Sequence, residues 1–520
     1  MFSNAGVALR STCKALAEFL GYAVLRTLTI QVSKNKLEQG LSKLTALSTG
    51  NHAACESTRQ LRIGSLSAVY EPDRTIAWKW DPALKGWVAD VPPEDPLEAV
   101  AEETIAAHLF DAIASMKGVE DVEWDPQNKD SEQTHRTVMD VLKTLPKLRH
   151  FRVSVTWLKT PLDLESFTSL QEMNMQGISE TLQEEMFEGL AKAVARNPGL
   201  ILLEINNIGR YCRTIDKFQS LHQVFKYYQA NAPPLRLRHL RMNLCLFRLD
   251  DITMPHLQHL TSLDLTLVEQ PNTPRDAGTE SELDNSSVLQ EKEQFGSSFQ
   301  DVWVAFRVAG VRLENITIDV VPHSFVDYLS SYSGLKKLDI VLNNFTDRQT
   351  SDLVASRFFE ESLGCHVHFL EELSLSTSYE GLWCVGSQNL ELLSKCKRMK
   401  YLRMSVNSSE LPLPLDIIND LKEASVLGDE PNLIKLVLDM AATHMPSIMV
   451  IQILEASILT CCASRPCGTH SMKQPSRVNS IMTDILPNYV PPSSCYRLPI
   501  LTISSLTGRR VSFMMAHEDP

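Results

Sequence analysis

The chain has no positive charge to spare. Its 50 Lys and Arg stand against 63 Asp and Glu, a net charge of -13, which argues against the broad basic surface that nucleic acid or an anionic membrane requires. Hydrophobic runs long enough to span a bilayer are missing too. The most apolar stretch, Ile448 to Ala463, is short and carries Glu455. No secretory signal is recognisable, and the eleven cysteines are odd in number and scattered, so reduced thiols in cytosol or nucleus are expected rather than a disulfide framework. Sequons at Asn285, Asn315, Asn344 and Asn407 carry no weight without secretion. Residues 1 to 17 contain Arg10 and Lys14 and no acid, as a mitochondrial presequence would. Glu18 follows at once, and an ordinary helix is the expectation.

Chemistry is scarce as well. The sequence contains no Walker-type phosphate loop, GxSxG elbow, HExxH helix or dinucleotide fingerprint. The nearest approach to a metal site is Cys461, Cys462, Cys467 and His470, with Cys495 far behind; zinc needs four converging ligands, commonly two close pairs. A zinc-dependent enzyme is therefore the remote reading, and no metal or cofactor is expected. His366 and His368 alternate beside Cys365, on what reads as a strand edge, and would share a face. With no acid pair to complete a site, packing or solvent exposure is the simpler role.

What the sequence does contain is a recurrent apolar frame: Leu, two residues, Leu, one residue, Leu. It reads LRTLTI from Leu25, LRHLRM from Leu237, LTSLDL from Leu260, LKKLDI from Leu335, LEELSL from Leu370 and LIKLVL from Leu433. With other apolar residues allowed it recurs from Val119, Leu148, Leu170, Leu200, Leu313 and Met399. This is the frame of a leucine-rich repeat. Cys245, Asn343 and Asn407 stand ninth in three frames, where Asn or Cys hydrogen-bonds the turn after the strand. From Leu148 to Leu433 the frames recur at a mean of about 32 residues, longer than the usual range of about 20 to 29; uneven curvature follows.

Helical patterns fill the intervals. Lys34 to Ser48, Asp95 to Met116, Glu132 to Leu145 and Thr181 to Val194 each carry an apolar stripe at helical spacing. Hydrophobic content of 43% supplies a core for such a stack. The predicted fold is α/β, an irregular leucine-rich-repeat solenoid with parallel strands on the concave face and helices on the convex one, over residues 25–440. Residues 268–298 form an acidic insert of disordered composition, in which Thr273 and Pro274 read as a chance dipeptide. From 441 to 520 the frame decays, and a poorly ordered tail is expected.

In a strand, alternate residues face opposite sides. The second and third frame positions therefore point into the core, and their neighbours outward: Asp121 and Glu123; His150, Arg152 and Ser154; Glu172 and Asn174; His239, Arg241 and Asn243; Lys337 and Asp339; Glu372 and Ser374; Tyr401 and Arg403. Signs are mixed, which suits a protein partner better than a polyanion. A solvated sheet face is the plainer alternative for any single residue, whereas solenoids present such faces for binding.

The segment STCKALAEFLGYAVLRTLTIQV, with Cys13, Leu16, Ala17, Glu18, Leu25, Leu28 and Ile30, resembles the junction between an F-box and the first repeat strand in fungal, basidiomycete-type F-box and leucine-rich-repeat proteins. KNKLEQGLSKLTALSTG, STRQLRI and GVEDVEWD look similar to that family too. An F-box opens with a Leu-Pro pair that contacts a Skp-type adaptor, and MFSNAGVALR contains none. Residues 1–24 thus resemble only the residual end of an F-box, and no adaptor-contact residue is carried over. The resemblance implies a non-enzymatic substrate-recognition subunit of a cullin-RING ubiquitin ligase, cytoplasmic or nuclear. Its partners would be a protein target and, with a completed F-box, the adaptor and cullin. The alternative is a scaffold or adaptor without a ligase role.

Overall fold

A computed structural model describes residues 25–50, 53–71, 78–81, 86–89, 96–178, 182–207, 220–229, 231–243, 245–266, 298–343, 345, 347–377, 381–405, 450–454, 500–504 and 510–512. The chain is α/β and divides into two compact units, the first ending at His259 and the second beginning at Leu260 and continuing from Ser298. The N-terminal helix, most of the acidic insert and most of the tail named above lie outside the described residues.

The first unit contains β1 (Thr27–Val32), β2 (Gln60–Leu66), β3 (Trp78–Asp81), β4 (Gly86–Ala89), β5 (Asp121–Trp124), β6 (His150–Ser154), β7 (Glu172–Ile178), β8 (Leu202–Asn207) and β9 (His239–Asn243). Seven of these pair in parallel, each with its predecessor and successor in the order β1-β2-β5-β6-β7-β8-β9. The hairpin β3–β4 stands apart as an antiparallel pair. In the second unit β10 (Ser262–Thr266), β11 (Asn315–Ile318), β12 (Lys337–Asn343), β13 (Glu372–Thr377) and β14 (Tyr401–Ser405) pair in parallel, again in chain order. β15 (Val450–Leu454) and β16 (Ile500–Ser504) continue it in parallel, and β17 (Arg510–Ser512) closes antiparallel.

Parallel neighbours need a crossover, and the crossovers carry the helices. Leu37–Ser48, Pro96–Ala114, Glu132–Leu142 and Gln183–Arg196 fall where the apolar stripes predict them. Phe299–Ala309, His323–Ser330, Arg348–Arg357 and Ser387–Ser394 serve the second unit. Ser131, Ser298 and Asp347 each accept a main-chain hydrogen bond at a helix N-terminus, satisfying a donor that has no partner within the helix. Gly310 ends its helix at φ 68°, a left-handed conformation costly for other residues.

One hydrogen-bond pattern recurs at the strand entries. The carbonyl of Arg26 accepts from the amides of Arg59 and Gln60, that of Arg59 from Glu120 and Asp121, that of Glu120 from Arg149 and His150, and so on to Ile201. Thr261, Glu314, Lys336 and Glu371 do the same in the second unit. A shared acceptor at each step locks successive repeats into one register.

That register puts the frame inside. Leu61, Ile63, Val122, Trp124, Phe151, Val153, Met173, Met175, Leu203, Ile205, Leu240 and Met242 are at most 2% exposed, each burial contributing roughly 1.5–3 kcal/mol. Leu263, Leu265, Ile316, Ile318, Leu338, Ile340, Leu373 and Leu375 do the same in the second unit. Among the described residues, no helix is long and apolar enough to cross a membrane.

Candidate functional site

Pairing fixes which outward residues are neighbours. In the first unit the outer row runs Thr27, Gln60, Asp121, His150, Glu172, Leu202 and His239. A middle row of Thr29, Arg62, Glu123, Arg152, Asn174, Glu204 and Arg241 runs alongside it. All the outward residues predicted for these strands lie on this one face, Ser154 and Asn243 extending it toward the strand ends.

The charges are already paired with one another. Arg62 lies 3.1 Å from Glu123, Arg152 4.0 Å from Asp121, and His150 3.9 Å from Glu172. Glu204 is the hub at the β9 side: His239 Nε2 is 3.2 Å and Arg241 3.7 Å away, and Asn174 Nδ2 donates to its carboxylate. Contact with His239, joined by the Arg241 and Arg152 charges, holds this carboxyl below its usual range against the burial that would raise it.

In the second unit the outer row runs Ser262, Asn315, Lys337, Glu372 and Tyr401 and on to Val450 and Ile500, and the middle row Asp264, Thr317, Asp339, Ser374 and Arg403 and on to Gln452 and Thr502. Lys337 and Glu372 are 2.7 Å apart. Sequence reasoning passed over Glu204, Arg62, Asp264 and Thr317. Arg62 and Glu204 sit at the same strand positions as Glu123 and Arg241, so the frame itself was the available signal.

The histidines take the packing and solvent roles expected of them, but not on a strand edge. His366 and His368 lie in a turn after a short helical segment, not on a strand, and His366 is fully buried whereas His368 is exposed. Residues two apart share a face only in extended backbone. His366 instead bonds main chain on both sides, and burial pushes its pKa down to about 4.

Of the ninth-position residues, Cys245 is buried and its thiol donates to the Asn243 carbonyl at 3.3 Å, with desolvation pushing its pKa up. Asn407 and the side chain of Asn343 lie outside the described residues. So does the Cys461, Cys462, Cys467, His470 and Cys495 group. Cys55, Cys365 and Cys396 are free thiols. Among the described residues, no three His, Cys, Asp or Glu gather as a metal site. A hollow of about 450 Å³ beside Lys34, Lys36, Glu38 and Glu98 is open and polar.

No protein-family model matches this chain, and no curated protein matches it. The geometry of the face is therefore the ground on which a function can be argued.

Proposed function

We propose that the chain is a leucine-rich-repeat protein that binds another protein through the polar face of its parallel strands and carries out no chemistry of its own. By its resemblance to F-box proteins it would act as a substrate-recognition subunit of a cullin-RING ubiquitin ligase, in cytoplasm or nucleus. The observation that carries the reading is the division of labour along each strand. The second and third frame residues of the strands from β5 to β13 are at most 2% exposed on one side, while the residues between them form two registered rows of mixed charge on the other. Mosaic charge of this kind sets register and partner choice between proteins, and a paired mosaic offers no general attraction for a polyanion.

Affinity purification of the tagged chain from fungal cells tests both halves. A receptor retains a Skp-type adaptor and a cullin together with specific targets; targets without the adaptor leave a scaffold. Reversing two exposed charges, R152E with R241E, is expected to release the targets while leaving the circular dichroism spectrum unchanged. Targets that stay bound to this variant would remove the face from consideration.

A further inference from the structure

One patch on the middle row of the second unit is built around an arginine that, among the described residues, lacks the ion pair its counterparts in the first unit make. Asp339, Ser374 and Arg403 lie side by side on β12, β13 and β14, and Ser405 lies two residues beyond Arg403 on the same face of β14. Among the described residues, four of their polar atoms, Asp339 Oδ1, Ser374 Oγ, Arg403 Nε and Ser405 Oγ, are buried without a hydrogen-bond partner, as are Asp121 Oδ1, Asn174 Oδ1 and Asn243 Oδ1 on the face of the first unit. Ser374 is 5% exposed and Ser405 1%. Among the described residues Arg403 makes no ion pair, whereas Arg62, Arg152 and Arg241 on the middle row of the first unit each have a carboxylate within 4.0 Å.

Buried polar groups without partners are few in native proteins, because desolvation without a hydrogen bond is costly. Four of them on three adjacent strands, gathered around an arginine with no ion pair among the described residues, point to partners on another molecule. We propose that this patch anchors the interface by taking an Asp or Glu side chain of the partner polypeptide. This inference rests on the protein-binding reading of the face.

The chemistry selects that occupant. A guanidinium is planar and presents a fork that matches a carboxylate, and the Ser374 and Ser405 hydroxyls can donate to the same oxygens. Asp339 stands two strand spacings from Arg403, roughly 9.6 Å. Its charge opposes a phosphate dianion more than a carboxylate, and its open oxygen accepts from a donor on the partner. About three residues of extended chain cover that distance. The expected element is therefore an acidic residue with a Lys, Arg, Asn or Gln within a few positions.

A phage-displayed library of random peptides, panned on the immobilised full chain, supplies the probe. Selected peptides are expected to share one acidic position, and R403A to weaken them roughly 10- to 100-fold in fluorescence anisotropy. R403Q keeps the side-chain stem, removes the charge and carries the same expectation should R403A melt early. Panning on R403E should select Lys or Arg at the shared position. Peptides that bind R403E as well as wild type, yet are lost on R62E with R241E, overturn the acidic anchor and leave the face. Peptides indifferent to both variants, or no selected peptides, overturn the anchor and the face together.

Discussion

The imidazole of His366 is clamped between two repeats: Nδ1 accepts from the Leu335 amide at 3.3 Å, and Nε2 donates to the Leu329 carbonyl at 3.1 Å. An amide can only donate and a carbonyl only accept, so the partners fix the tautomer. His256 repeats the arrangement one unit earlier, accepting from the Leu235 amide at 2.9 Å while stacked on Phe225 at 4.4 Å. Asn197 plays the same part for Leu170. In each case a side chain from the end of one crossover ties down the chain entering the strand before it, at the first frame residue itself for Leu335 and Leu170 and two residues ahead of it for Leu235.

Acid should loosen these clamps. Burial pushes His256 and His366 from 6.5 to about 4, so below pH 6.5 the unfolded chain takes up protons that the native chain refuses. Stability falls as pH drops from about 6.5 to 4, by up to about 3 kcal/mol for each histidine. Glu102 and Asp130, raised by burial, act in the opposite direction. Urea midpoints at pH 7.5 and 4.5 should therefore differ more for wild type than for H256N with H366N. Equal differences would mean that neither imidazole is excluded from protonation.

Asn197 offers a test free of titration. It is 2% exposed, accepts from the Leu170 amide at 2.7 Å, and donates to the Phe167 and Ala193 carbonyls at 2.8 and 2.7 Å. N197A leaves three buried main-chain groups without partners and is expected to cost on the order of 3 kcal/mol. N197D restores the acceptor alone, turns a carboxylate toward two carbonyls, and should recover little of the loss. An N197A chain that unfolds at the wild-type urea midpoint would show that the bonds do not hold the repeats together.

Glu204 should matter only while it is charged. Its native pKa lies below its ordinary value, so its contribution is present above the unfolded pKa of about 4.5 and disappears as pH falls through the native one. E204Q is expected to cost about 1 kcal/mol at pH 7 and to approach wild type near pH 3. The matched urea titrations decide; an equal deficit at both values would assign the loss to packing.

The strands were legible because a core-facing strand needs little more than its apolar spacing. Every frame within the described residues opens a strand two residues later, from Leu25 and Thr27 to Met399 and Tyr401. β2 escapes the apolar frame because Thr58 occupies the first position, buried there with its hydroxyl donating to the Ala54 carbonyl at 2.7 Å. The lateral partners were not legible. Arg62 meets Glu123, and Glu204 meets Arg241, through register between residues far apart in sequence. Nor could the clamps be foreseen, since His256, His366 and Asn197 are ordinary polar residues until the strand before each brings an amide to it. The β3–β4 hairpin interrupts the repeat rhythm, and the structure gives it no part in the polar face.

Asp339, Ser374 and Arg403 come from three successive strands and meet only through the pairing of β12, β13 and β14. The patch is therefore a discontinuous epitope. No peptide cut from this chain can imitate it, and an antibody raised against such a peptide would not compete with the partner. If the patch is the anchor proposed above, a misfolded copy would lose recognition altogether, and binding would also report whether the second unit is assembled.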